Sequence, residues 1–113
     1  MILEAELERV DATTAVFRLT GRMTLGMRLR EIESKITSAA DDGVNKLVLE
    51  LSGIEFIDSA GLGALMILYG NMKVRSGQLR LVAPAARVLD VLKLTHTDSI
   101  LPIDGTLEAA LAS

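Results

Sequence analysis

The sequence predicts an α/β domain in which parallel strands alternate with helices behind a leading antiparallel hairpin. Three observations predict it. The spacing of apolar residues switches repeatedly between the period of a strand and that of a helix. Most of the switches fall at glycine or proline. One central run, Leu47-Val48-Leu49, is continuously apolar, as in a strand covered on both sides or at least central in its sheet.

Ile2 to Arg9 alternates, with Leu3, Ala5 and Leu7 on one side and Glu4, Glu6 and Glu8 on the other. That is a half-buried strand with a solvated face. Val10 to Thr14 is a polar turn around Asp11. Ala15 to Thr20 is a second strand ended by Gly21, and the short connection predicts a hairpin. From Thr24 to Ala40 the residues Leu25, Leu29, Ile32 and Ile36 form one helical stripe. Thr24 is its expected N-cap and Gly43 its stop. Lys46 to Leu51 is the central strand, and Ser52-Gly53 opens a short loop through Ile54, Phe56 and Ile57 to Asp58. A helix from Ser59 to Arg75 carries Leu62, Leu65, Met66, Tyr69 and Met72 on its apolar face. Leu79 to Val82 is a strand, and Pro84 opens a helix with Val88, Leu89 and Leu92 inward. Ile100 to Ile103 is a last strand and Thr106 to Ala112 a closing helix.

The 113 residues are read as one domain, residues 1–113, with little room for a second. Phe17, Phe56 and Tyr69 are the whole aromatic content, so Leu, Ile, Val, Met and Ala must build the core; the methionines are read as core filler. Few aromatics and a net charge of −3 argue against nucleic acid and against a polybasic membrane surface. The absence of cysteine excludes disulfides, thiolate metal sites and cysteine nucleophiles. Neither a metal nor a cofactor is expected. The acidic N-terminus does not read as a secretory segment. The longest apolar run, Ala60 to Gly70, falls well short of the roughly 20 residues that span a bilayer. The expectation is a cytoplasmic protein without membrane insertion.

The segment Ile57-Asp58-Ser59-Ala60-Gly61-Leu62-Gly63 lies between the central strand and a helix, where sites of α/β folds collect. One reading is helix capping by Asp58 or Ser59, with glycines for close packing. Enzymatic readings fail on the letters. A nucleophile elbow needs glycine where Ile57 stands, and the single histidine, His96, falls in a loop after a helix. A dinucleotide fingerprint needs a small residue where Met66 stands, and the Gly-Lys-Ser/Thr of a P-loop is absent. Glu50 and Asp58 are a conceivable carboxylate pair; the mixed charges Arg28, Arg30, Glu31, Glu33 and Lys35 read as a solvated helix face. The remaining reading is modification of Ser59. The start of a helix accommodates a phosphate, which brings roughly −1.5 to −2 charges that a docked partner would meet.

The stretch Leu47 to Leu65, with Asp58-Ser59-Ala60-Gly61-Leu62-Gly63 at its centre, resembles the signature of STAS domains. Leu19-Thr20-Gly21, Gly77 to Val82 and Val88 to Leu94 resemble the family's flanking segments. The resemblance implies a mixed sheet of four to five strands with helices mainly on one face. It also implies an anti-sigma factor antagonist, which is not an enzyme. In that scheme the unphosphorylated protein binds an anti-sigma factor that is a serine kinase with an ATP-binding fold, and so releases a sigma factor. Phosphorylation, mapped here to Ser59, ends the binding, and a serine phosphatase resets the cycle. The docking surface implied comprises Gly21, Arg22, Thr24 and the run Asp58, Ser59, Ala60, Gly61 and Leu62. Two positions depart from the family pattern: Arg22-Met23-Thr24 offers no acidic residue after Gly21, and Glu50 stands where an aspartate is common. The other class of function implied is a constitutive interaction subunit, as in lipid-transport ABC systems; the retained serine favours the first.

Overall fold

The computed structural model describes residues 1–113. Its elements in chain order are β1 (Glu4–Arg9), β2 (Thr14–Met23), α1 (Met27–Asp41), β3 (Lys46–Ile57), α2 (Ser59–Val74), β4 (Gln78–Val82), α3 (Ala86–Leu94), β5 (Ile103–Asp104) and α4 (Leu107–Ala112). A short 3-10 turn, Thr97–Ser99, follows α3. The five strands form one sheet in the order β1-β2-β3-β4-β5. β1 runs antiparallel to β2, and all the other pairs are parallel.

This order explains where the helices lie. Each crossover from β2 to β5 steps to the next strand in the same direction. Crossovers between parallel strands share one hand, so α1, α2 and α3 collect on one face. There Phe17, Leu19, Leu47, Leu49, Leu51, Leu79 and Leu81 meet Leu29, Ile32, Ile36, Leu65, Met72, Val88 and Leu92 in the main core. The short α4 lies on the opposite face, where Ala110 packs with Val16, Val48 and Val82. Val48 is therefore covered from behind, as the apolar run 47–49 requires. Lys46, 8% exposed, holds α4 by donating from Nζ to the carbonyls of Leu111 and Ser113 at 3.0 and 2.8 Å. Those carbonyls lack helical partners, and a cation satisfies them well.

Several elements differ from the sequence reading. β2 does not end at Gly21, and residues 52–57 are strand rather than loop. The two extensions pair with each other through register shifts at Arg18/Thr20 and Gly21/Arg22, so each supplies the hydrogen-bonding partner that local sequence does not reveal. Gly21 makes this possible with a φ of 101°, and a Cβ there would strike the Ile2 carbonyl. Thr24 is not the cap of α1. The helix starts two residues beyond Leu25, after Gly26, with no side-chain cap. Leu25 leaves the expected buried stripe and is 75% exposed. The buried face of α2 is Gly61, Ala64, Leu65, Leu68 and Met72; Leu62, Met66 and Tyr69 are only partly buried against the core. Small Gly61 and Ala64 let the helix turn that side to the sheet. Pro84 precedes α3 without entering it. The last strand begins at Ile103 because the amides of Ile100 and Leu101 are taken by the Thr97 carbonyl. Of the methionines, Met23 and Met72 are buried, whereas Met1 and Met27 are exposed. Within the charged face of α1, Arg28 is tied down: its Nε donates to the Leu3 carbonyl at 2.7 Å.

Candidate functional site

β3 ends at Ile57, whose side chain is buried, and the next residue changes role. Asp58 has an extended backbone (φ −101°, ψ −174°) and is the N-cap of α2. Its amide donates to the Met23 carbonyl at 3.2 Å, continuing the contact with β2. Its Oδ1 accepts the Gly61 amide at 2.8 Å. Its Oδ2 accepts the Leu25 amide at 2.9 Å. One carboxylate thus caps α2 and fastens the loop between β2 and α1. Both contacts favour the ionised form: the Leu25 amide, then the Gly61 amide, hold Asp58 below the ordinary carboxylate range.

Gly61 is buried, and a Cβ on it would collide with the Met23 carbonyl oxygen. The start of α2 therefore lies directly against the end of β2. Ala60 and Leu62 pack partly against the main core. Ser59, the first residue of α2, is exposed. Asp58, not Ser59, does the capping.

The residues expected at a docking surface are gathered at this end of the sheet, but unequally presented. Gly21 and Gly61 are buried, and Thr24, Asp58, Ala60 and Leu62 are half-buried; Ser59 and Arg22 are exposed. Arg22 and Phe56 are cross-strand partners, and the guanidinium carbon lies 4.8 Å from the ring centre. Sequence reasoning missed three exposed apolar side chains in these segments. Leu25, Met27 and Phe56 are exposed by 75%, 79% and 37%. Gly26, immediately after Leu25, is the signal that could have taken Leu25 out of the helix.

Glu50 does not join Asp58; it accepts the Ser52 amide at 2.7 Å. His96 occupies an exposed left-handed turn (φ 60°) after α3. No group of three or more His, Asp or Glu side chains is placed to hold a metal ion. No helix is long and apolar enough to cross a membrane.

A strand–Asp-Ser–helix junction on a sheet of this order is the arrangement the STAS resemblance implies, and the STAS domain family model matches residues 4–110. The chain belongs to the STAS domain family. Among its relatives, a Thermotoga neapolitana protein assigned as an anti-sigma factor antagonist is 39% identical over 69 residues, 61% of each chain. The match thus spans less than two thirds of that relative's length. The anti-sigma F factor antagonist of Lysinibacillus sphaericus is 27% identical over 94% of this chain and 90% of its own. The crystal structure of a Thermotoga maritima protein assigned as an anti-sigma factor antagonist superposes with a TM-score of 0.88 at 26% identity, over 96% of this chain and 92% of that one. The fold expected of a STAS domain, a mixed sheet of four to five strands with helices mainly on one face, is the fold found, with five strands.

Proposed function

We propose that this STAS protein is an anti-sigma factor antagonist, a binding protein controlled by phosphorylation of Ser59. In its unphosphorylated form it binds an anti-sigma factor that is also a serine kinase, freeing a sigma factor. The kinase transfers the terminal phosphoryl group of ATP to the Ser59 hydroxyl, releasing ADP and a proton, and the complex separates. A serine phosphatase restores the hydroxyl.

The observation that carries this reading is the division of labour between neighbours. Asp58 holds the helix start and the adjoining loop, while Ser59 beside it is exposed. A phosphate on Ser59 displaces no buried group. At the first turn of a helix of 16 residues the anion is favourable to the fold. For a docked partner the same charge is costly, through desolvation or like-charge contact. Binding is thereby lost without a change of fold. Two of the relatives carry antagonist names, which supports the reading.

The test is affinity capture from the native host with wild-type and Ser59→Asp baits, read by mass spectrometry, together with phosphate transfer from labelled ATP by the captured kinase. Capture of a kinase with an ATP-binding fold by wild type alone, and labelling of wild type but not Ser59→Ala, is the expected result. Equal capture of one partner by both baits would overturn the switch.

A further inference from the structure

We propose that Arg22 is the receptor for a carboxylate of the docked partner, an Asp or Glu presented at the rim of an apolar contact. The inference rests on the antagonist function proposed above and on the docking surface that the STAS resemblance implies, and it adds the chemistry of the partner that fits it.

Arg22 and Phe56 are paired across β2 and β3, one residue before the buried pair Met23 and Ile57. Side chains alternate along strands, so Arg22 and Phe56 face away from the core. The guanidinium lies 4.8 Å from the Phe56 ring centre. That contact restrains the cation but uses none of its N–H donors, which remain in a planar fork suited to two parallel bonds with a carboxylate. Nothing in the chain takes them up. The ion pairs are Arg18–Glu8, Arg28–Glu31, Arg75–Asp41 and Arg80–Asp104. Of the acids nearest in the chain, Asp58 has its two oxygens bonded to the amides of Leu25 and Gly61, and Glu55, exposed beside Phe56 on β3, makes no ion pair with Arg22.

The surroundings suit a protein surface. Phe56, whose ring lies against the guanidinium, is exposed, as is Leu25, three residues along the chain from Arg22; the Leu25 amide is held by Asp58 beside Ser59. Apolar side chains around a charge exclude water when a partner docks, which strengthens the pair. A phosphate backbone would need several cations, whereas this chain carries a net charge of −3. A single restrained guanidinium in such a chain fits a single carboxylate. The pair would also set register, because ionised Asp58 repels a partner acid that misses Arg22.

The experiment uses the partner kinase identified by capture and three full-length variants. Arg22→Lys puts a primary amine at the site; the complex is treated with a zero-length carbodiimide, and the cross-linked residues are mapped by mass spectrometry. An amide between Lys at position 22 and an Asp or Glu of the partner is the expected result. Arg22→Glu should bind about tenfold more weakly or worse, with circular dichroism showing an intact fold. Ser59→Asp is measured alongside. If Arg22→Glu binds as wild type and position 22 yields no cross-link, the carboxylate receptor is overturned, even where Ser59→Asp still abolishes binding. If Ser59→Asp binds normally but the position-22 cross-link forms, the phospho-switch fails and the Arg22 assignment stands.

Discussion

Asp58 Oδ2 accepts the backbone amide of Leu25 at 2.9 Å, joining residues 33 apart in the chain. With Oδ1 on the Gly61 amide, this side chain organises the junction from which Ser59 projects. Asp58→Ala removes a helix cap and a loop anchor together. The expected cost is about 1–3 kcal/mol, read as a lower midpoint in urea unfolding with an unchanged slope.

The same carboxylate sets a pH dependence. The Leu25 and Gly61 amides hold its folded-state pKa below the ordinary carboxylate value. A depressed carboxylate stabilises the fold above its unfolded pKa, and that stability is lost as pH falls through the folded value. Stability should therefore be flat in this term from pH 7 to about 5 and fall below about pH 4. In Asp58→Ala that acid slope should be shallower. Parallel urea titrations of the two proteins between pH 7 and 3 check this; identical slopes would refute the assignment.

Gly61 and Gly63 should respond oppositely to alanine. At Gly61 a methyl group meets the Met23 carbonyl and the side chain of Ile57, whereas at Gly63 nothing lies within 4 Å. Gly61→Ala should destabilise by about 1–3 kcal/mol, as overpacking does. Gly63→Ala should stabilise by about 0.5–1 kcal/mol through helix propensity. Thermal melts of the two variants compare them directly.

Ser59→Asp should fold as wild type does. Negative charge on the first turn of a helix typically contributes about 0.3–1 kcal/mol of stability. Its melting temperature should equal or slightly exceed that of wild type. A substantial drop would mean that the charge harms the fold itself, and loss of binding could then not be assigned to the interface.

Lys46→Met should loosen α4 while leaving the main core intact. The ammonium bonds the carbonyls of Leu111 and Ser113, and hydrogen bonds to a charged group contribute about 1.5–3 kcal/mol. Hydrogen exchange should accelerate at the amides of α4 and remain slow in β3. Uniform acceleration would show that α4 and the sheet unfold as one unit.

The sequence by itself determined the alternation of strands and helices, because one-sided burial writes its period directly into residues such as Leu29, Ile32 and Ile36. It also singled out Asp58 and Ser59, because a strand that stops before a helix needs a cap and exposes the residues around it. It could not choose between them as the cap. That choice and the extension of β3 through Ile57 were decided only by tertiary structure, and the release of Leu25 from α1, at which Gly26 hints, was fixed there too. Each depends on a partner distant in the chain: Leu25 for Asp58, the end of β2 for the end of β3, and Asp58 again for Leu25. The stacking of Arg22 on Phe56 belongs with them, since it requires two strands to come into register before either side chain has a neighbour. Local patterns record which face is buried; only the assembled sheet records which backbone amide reaches which distant oxygen.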